Sequence, residues 1–131
     1  GPGCMRGGLG QVVRFSKRDE DGQEMLVSVY PEGVDNLIDG LFGGMPGGGA
    51  RGRVITREGK LQRDCGTGEL VSLFTTDEVV ELVLAGGAGY GDPQQRAQSA
   101  IARDLELGLV THDHVAKHYG KQSSASTISK R

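Results

Sequence analysis

Hydrophobic positions along this chain form short runs with the residue types of β-strands as far as residue 91, and then change to helical spacing. Gln11–Phe15 and Met25–Tyr30 are rich in β-branched and aromatic residues. The polar run Lys17-Arg18-Asp19-Glu20-Asp21-Gly22 lies between them and ends in Asp-Gly, which predicts a hairpin. Arg53–Thr56, Leu70–Phe74 and Val79–Leu84 read as further strands, with turn residues at Glu58-Gly59 and Thr76-Asp77. The last two of these form a second expected hairpin.

At Asp92 the period lengthens. Asp92-Pro93-Gln94-Gln95 combines an N-cap aspartate, proline at the first helical position and glutamine at the third. Ala97, Ile101 and Leu105 follow at i+4 spacing, and Gly108 stands where a helix-terminating glycine belongs. Thr111 caps a second short helix with Val115 and Tyr119 on one face, closed by Gly120. Residues 121–131 are Ser, Thr and basic residues almost throughout and predict a disordered tail. The expected fold is mainly β, a Gly-rich region of strands and hairpins over 1–91. Two short C-terminal α-helices follow over 92–120, then the tail.

Composition sharpens this picture. At 131 residues the chain is one domain or a piece of one. It holds 23 glycines, grouped as five in residues 1–10, seven in 40–52 and four in 86–91. Leu, Ile, Val and Phe fill only 31 positions, close to the ~20% level at which disorder sets in. So thin a core predicts a chain that leans on a partner. The glycines have no G-X-Y period, which excludes a collagen-like helix. No apolar run approaches the length of a membrane-spanning helix, and no secretory signal is present. A net charge of −2 gives no footprint for nucleic acid or an anionic membrane. Two cysteines are too few for a disulfide framework or a four-thiolate zinc site. Cytoplasmic localisation is the default expectation. The opening Gly1-Pro2-Gly3, without methionine, reads as a processed chain, a tag remnant or a piece of something longer.

Few constellations carry chemistry. Gly47-Gly48-Gly49-Ala50-Arg51-Gly52 matches the dinucleotide pattern GxGxxG, but a strand-like stretch follows it where a phosphate-binding helix should begin. A structured loop is expected there. His114 and His118 stand i, i+4 on a predicted helix beside His112 and are weak metal candidates, with no Glu of an HExxH motif between them. Cys65 lies in a Gly-rich loop without an adjacent base to activate it. Tyr90 is the aromatic residue inside Gly86–Pro93. Its two readings are a buried anchor of the strand-to-helix turn and a contact with a catalytic partner or substrate channel. Gly89 and Gly91 are expected at positive φ in that turn.

Several segments together resemble one family. Gly86–Pro93, continuing through Arg96, Arg103-Asp104, Gly108-Leu109-Val110 and Tyr119-Gly120, is similar to the C-terminal end of hydantoinase B proteins. These belong with the oxoprolinases and the ketone carboxylase large subunits. Two earlier stretches agree in order: Gly1-Pro2-Gly3-Cys4-Met5-Arg6-Gly7-Gly8-Leu9-Gly10, and Gly40-Leu41-Phe42-Gly43-Gly44-Met45-Pro46-Gly47. Gly66-Thr67-Gly68 is a weaker match, and Cys4-Met5 and Ala88 depart from the family pattern.

The resemblance implies a subunit several times longer, of which this chain is the C-terminal portion. It implies a hydantoinase A-like partner that binds and hydrolyses ATP. Together they would open a cyclic amide such as a hydantoin or oxoproline, or carboxylate a ketone, through a phosphorylated intermediate. Metal ligands would lie in the upstream remainder of the subunit, leaving no catalytic, cofactor or metal residue here. Arg6, Phe42, Gly89, Tyr90, Gly91 and Asp92 are the expected structural or interface residues. A free-standing β-rich binding or scaffold module is the alternative, and a small hydrolase using His112, His114 and His118 a remoter one.

Overall fold

The structure, a computed structural model, describes residues 1–120. The expected tail, 121–131, lies outside the described residues. Six strands come first: β1 (Gln11–Ser16), β2 (Met25–Val29), β3 (Arg51–Thr56), β4 (Leu61–Cys65), β5 (Glu69–Leu73) and β6 (Glu78–Leu84). A single 3-10 turn (Pro93–Gln95) and two helices follow, α1 (Gln98–Glu106) and α2 (His112–Tyr119). The molecule is thus mainly β with two C-terminal helices, as the hydrophobic pattern predicts. No helix among the described residues is long and apolar enough to cross a membrane.

The strands form two antiparallel sheets, one in the order β1-β6-β3-β4 and one of β2 and β5. Both expected hairpins are therefore corrected. β1 pairs with β6 and β2 with β5, so the segments flanking the Asp-Gly signal lie in different sheets. The run between them is a folded corner, not a two-residue turn. Lys17 is buried and donates to Asp21 Oδ1 at 2.6 Å and to the Gln23 carbonyl, while Asp21 accepts from the Gln23 amide at 3.0 Å. β5 and β6 likewise separate into the two sheets. Their connection is held by Glu78, whose carboxylate accepts from the amides of Phe74 and Thr75 at 2.8 and 2.9 Å. Glu20 in the first corner accepts from the Thr76 amide in the second at 2.7 Å, tying both sheet-crossing corners together.

The hairpin that does form joins β3 to β4 around the expected Glu58-Gly59 turn, with Gly59 at φ +91°. Cys65 ends β4 and was expected in a loop. The core lies between the sheets, where Val54, Cys65 and Val80 meet Val29, Val71 and Leu73.

The opposite face of the larger sheet holds a buried charge. Glu81, 1% exposed, interrupts the apolar run of β6 and stands in register between Arg14 of β1 and Arg53 of β3. Arg14 Nε and Arg53 Nε donate to its two carboxylate oxygens at 2.7 and 2.5 Å. Burial alone would raise the Glu81 pKa, yet the two guanidiniums hold it below the usual carboxylate value. A depressed folded-state pKa stabilises the fold above the unfolded carboxylate value of about 4.3, and this stabilisation disappears as pH falls through the folded value. Glu81→Gln should therefore cost about 2 kcal/mol at pH 7. That is less than the ~3–5 kcal/mol of a fully buried pair, because the Arg14 side chain is 61% exposed. Urea titrations of the variant should also show a smaller loss of stability between pH 7 and pH 3 than the parent chain shows.

Candidate functional site

The three glycine clusters, distant in sequence, meet in one layer, and Tyr90 is the residue at which they join. On one side its backbone makes an antiparallel bridge to Met5, with Met5 N–Tyr90 O and Tyr90 N–Met5 O both 2.9 Å. On the other side a parallel bridge reaches Leu41, through Leu41 N–Gly89 O at 3.1 Å and Gly91 N–Leu41 O at 2.9 Å. Cys4 N–Gly91 O, Met45 N–Pro2 O, Gly89 N–Met45 O and Gly87 N–Gly8 O extend the ladder at 2.8–3.0 Å.

Backbones this close exclude side chains. A Cβ on Gly89 would overlap the Pro2 carbonyl, and one on Gly44 would overlap the carbonyl of Gly89. Of the two glycines expected at positive φ, only Gly91 adopts it, at +72°. Gly89 is glycine for lack of space.

With main chain inside the layer, the other side chains turn outward. Met5, Leu41, Phe42 and Tyr90 are 68, 61, 78 and 50% exposed. Tyr90 is thus not a buried anchor; its ring lies against Phe42, centroids 5.2 Å apart and planes tilted by 58°. Phe42 has φ +50°, a conformation that costs a bulky L-residue roughly 1–3 kcal/mol and concentrates at functional positions. An exposed aromatic pair is thus held out by a strained main chain.

Arg6, next to Met5, runs to the helices instead. Its Nε and Nη2 donate to Asp104 Oδ2 and Oδ1 of α1 at 2.8 and 3.0 Å, and Arg96 Nη2 donates to Oδ2 at 2.7 Å. Arg96 Nη1 also reaches the Cys4 carbonyl at 3.0 Å. The Arg6 hydrogen bond, ahead of the cost of burial, holds the Asp104 carboxyl below its ordinary value. Asp104 is 6% exposed. Its signal in the sequence is a carboxylate three residues beyond Ile101, on the apolar stripe of the helix.

Asp92 caps as expected, accepting from the Gln94 amide at 2.8 Å, but what it caps is the 3-10 turn. The single helix expected from Pro93 is corrected: the chain extends at Arg96 and Ala97, and α1 starts at Gln98 with Ala97 as its N-cap. The extension puts the Arg96 side chain between Cys4 and Asp104. Thr111 caps α2 as expected, its hydroxyl accepting from the His114 amide at 3.2 Å.

Gly47, the first residue of the GxGxxG match, belongs to the layer, where a Cβ would overlap the Gly86 carbonyl. Gly47–Gly52 leads into β3, and Gly52 sits inside that strand, where a Cβ would meet Val29 Cγ1 at 2.7 Å. The His114 and His118 rings lie with centroids 4.6 Å apart and planes tilted by 48°, each with a pKa lowered chiefly by burial. His112 is exposed. Among the described residues, no group of three or more His, Cys, Asp or Glu could hold a metal ion. Burial pushes the Cys65 thiol pKa up, which leaves it a core residue and a poor nucleophile.

The model of the family described as hydantoinase B/oxoprolinase matches residues 1–93, which contain all three glycine clusters. The crystal structure of the ATP-dependent caprolactamase from Pseudomonas jessenii superposes with a TM-score of 0.60 at 23% sequence identity. The match covers 91% of this chain and 20% of that one, so the chain spans about a fifth of the solved relative. No curated protein matches the sequence.

The layer makes a prediction with opposite signs at two glycines. Gly89→Ala should destabilise by about 3 kcal/mol or more, because the clash is with main chain that cannot move aside. Gly48 has open space where a Cβ would stand, and Gly48→Ala should stabilise by about 0.4–1 kcal/mol through the unfolded state. Urea midpoints of the two variants should move in opposite directions.

Proposed function

We propose that this chain, which belongs to the hydantoinase B/oxoprolinase family, is part of a hydantoinase B-like subunit in an ATP-dependent complex. That complex opens cyclic amides of the hydantoin or oxoproline type, or carboxylates ketones. Within it the chain has a structural and subunit-contact role and is inactive alone. Its location is the cytoplasm.

The observation that carries this reading is the outward apolar group Met5, Leu41, Phe42 and Tyr90, built by the segments that match the family. Exposed apolar patches of this kind mark contact surfaces, and the chain is a fifth of the length of a solved relative. The rest of the hydantoinase B-like subunit is the surface this patch would meet. A hydantoinase A-like subunit would supply ATP, and phosphoryl transfer would activate an otherwise unreactive carbonyl. A metal ion, where one is used, would be held by the upstream remainder of the subunit. The second reading, a free-standing β-rich binding module, draws on the inter-sheet core around Val29, Val54 and Val80, which forms within the chain itself.

Assembly and stability should respond differently to one substitution. Phe42→Asn keeps a residue tolerant of positive φ while removing the exposed ring. The isolated variant should be as stable as the parent or more so, yet co-purify with the remaining subunit at about a tenth of the parent yield or less. Unchanged co-purification favours the free-standing module. Activity is tested with a hydantoin, oxoproline and ketone panel. Turnover should require ATP and the assembled complex, and turnover by the isolated 131-residue chain would overturn the proposal.

A further inference from the structure

An open groove of about 490 Å³ lies between the loop that follows β2 and the end of β6. Tyr30, Ile38, Leu84 and Ala85 form its apolar wall, Glu32 and Asn36 are its polar side chains, and no Lys or Arg lines it. None of Met5, Leu41, Phe42 and Tyr90 belongs to it. Main-chain bonds hold the loop to the body of the fold. The Ala50 amide donates to the Gly33 carbonyl at 3.1 Å, and the Gly47 amide donates to that of Ile38 at 3.2 Å. A groove whose wall is already tied down loses little freedom when it is filled.

Two independent observations describe what would fill it. The first is apolar exposure. Tyr30, Leu37 and Ile38 are 66, 50 and 61% exposed on this anchored loop, and apolar surface grouped in this way marks a contact. The second is charge. Between Arg18 and Arg51 the sequence has seven acidic residues and no Lys or Arg. Asp19 pairs with Arg18, Glu20 binds Thr76 and Asp21 pairs with Lys17. Glu32, Asp35 and Asp39 are exposed and make no ion pair among the described residues. An exposed acidic run by itself is a solvated face. Beside an apolar groove that holds no cation, it selects the sign of what binds there.

We propose that this groove docks a basic, apolar-flanked segment of a partner polypeptide, with the stem of a Lys or Arg along Ile38 and Leu84 and its charge at Glu32. Side chains of this kind cover apolar surface with their methylenes while the charged head stays in water. A neutral apolar segment would cover Glu32 without pairing it, which burial of a charge disfavours. An acidic segment would be repelled. Asp35 and Asp39 lie outside the groove lining, so a chain with more than one basic residue engages the surface better than a small free cation.

The 131-residue chain is titrated with the blocked peptide acetyl-Leu-Lys-Leu-Arg-Leu-amide, following amide resonances of residues 30–39 and 82–86 by NMR. Controls are the neutral acetyl-Leu-Gln-Leu-Gln-Leu-amide, the polar acetyl-Ser-Lys-Ser-Arg-Ser-amide, and spermidine. Saturable shifts are expected with the basic apolar peptide, at least about fivefold tighter than with any control and weakening as salt is raised. Glu32→Gln should weaken this binding about threefold and Ile38→Ser about fivefold. Both side chains are exposed, so the urea midpoint should stay at the parent value in each variant. No saturation by the basic apolar peptide, equal binding of any control, or undiminished binding in either variant would overturn the proposal. Movement of the same resonances on deleting residues 121–131 would assign the groove to the chain's own tail, and movement on dilution to a second copy; either would also overturn it. The titration needs no other subunit, so its failure is separate from a failure of the assembly reading.

Discussion

Main chain packed directly on main chain governs this molecule, because at Gly44 and Gly89 the neighbouring carbonyls occupy the volume that a Cβ would need. Contacts of that kind are made by amides and carbonyls: Tyr90 exchanges both of its backbone bonds with Met5, about 85 residues away, and its neighbours Gly89 and Gly91 bond to Leu41, about 50 residues away. The side chains between the glycines can only leave the layer, which is why Met5, Leu41 and Phe42 stand in the open despite being apolar. The shortage of Leu, Ile, Val and Phe has the same origin. In this half of the molecule, backbone has taken the place of a side-chain core. Ordering glycine costs roughly 0.5–1 kcal/mol more than ordering alanine at each position, so the layer depends on ties from outside it.

Those ties are ionic, and they share one design. Asp104 is held by Arg6 and Arg96, Glu81 by Arg14 and Arg53, each carboxylate almost fully buried and each bridging elements far apart in sequence. The first joins the amino-terminal glycine segment to α1; the second staples β1 and β3 across β6. A carboxylate between two guanidiniums has both oxygens occupied, which is the condition under which burying it is tolerable. The difference lies in what remains. Around Glu81 the Arg14 side chain reaches solvent and dissipates the excess charge, whereas around Asp104 both arginines are largely enclosed.

The local grammar of the fold was legible in the residues. Strand-forming runs lie where β1, β2, β3, β5 and β6 form, and Asp92, Thr111 and Gly108 act at helix ends as their chemistry predicts. Pairing was not legible, because Asp21-Gly22 is a turn signal of the right type in a connection too long to be a two-residue hairpin. Lys17 converts that connection into a corner by folding back on Asp21 and Gln23. β4 escaped notice because Gln62, Arg63 and Asp64 are polar and exposed on an edge strand, leaving no alternation to detect. The single helix expected from Pro93 failed for a tertiary reason, the reach of Arg96 to Cys4 and Asp104. Of the candidate site, the glycine clusters and Arg6, Phe42 and Tyr90 were visible as residues; that the clusters are one surface is a property of long-range contact alone.

That surface also bears on where chemistry can reside. Nucleophilic or metal-assisted attack needs an activated donor in a cleft. Here the Cys65 thiol is buried with its pKa raised, and the two neighbouring histidines of α2 have no third ligand beside them among the described residues. A backbone layer, by contrast, is well suited to holding position. Its interior has no side chains to repack, so it resists small deformation. On the proposed reading, the glycine segments fix the spacing of Met5, Leu41, Phe42 and Tyr90 to within the tolerance of a hydrogen-bond ladder, and the strain at Phe42 is what the ladder can carry. An interior made of main chain leaves only outward residues free to differ between relatives. On that reading, the choice of partner lies in the outward side chains Met5, Leu41, Phe42 and Tyr90 and not in the glycines that hold them.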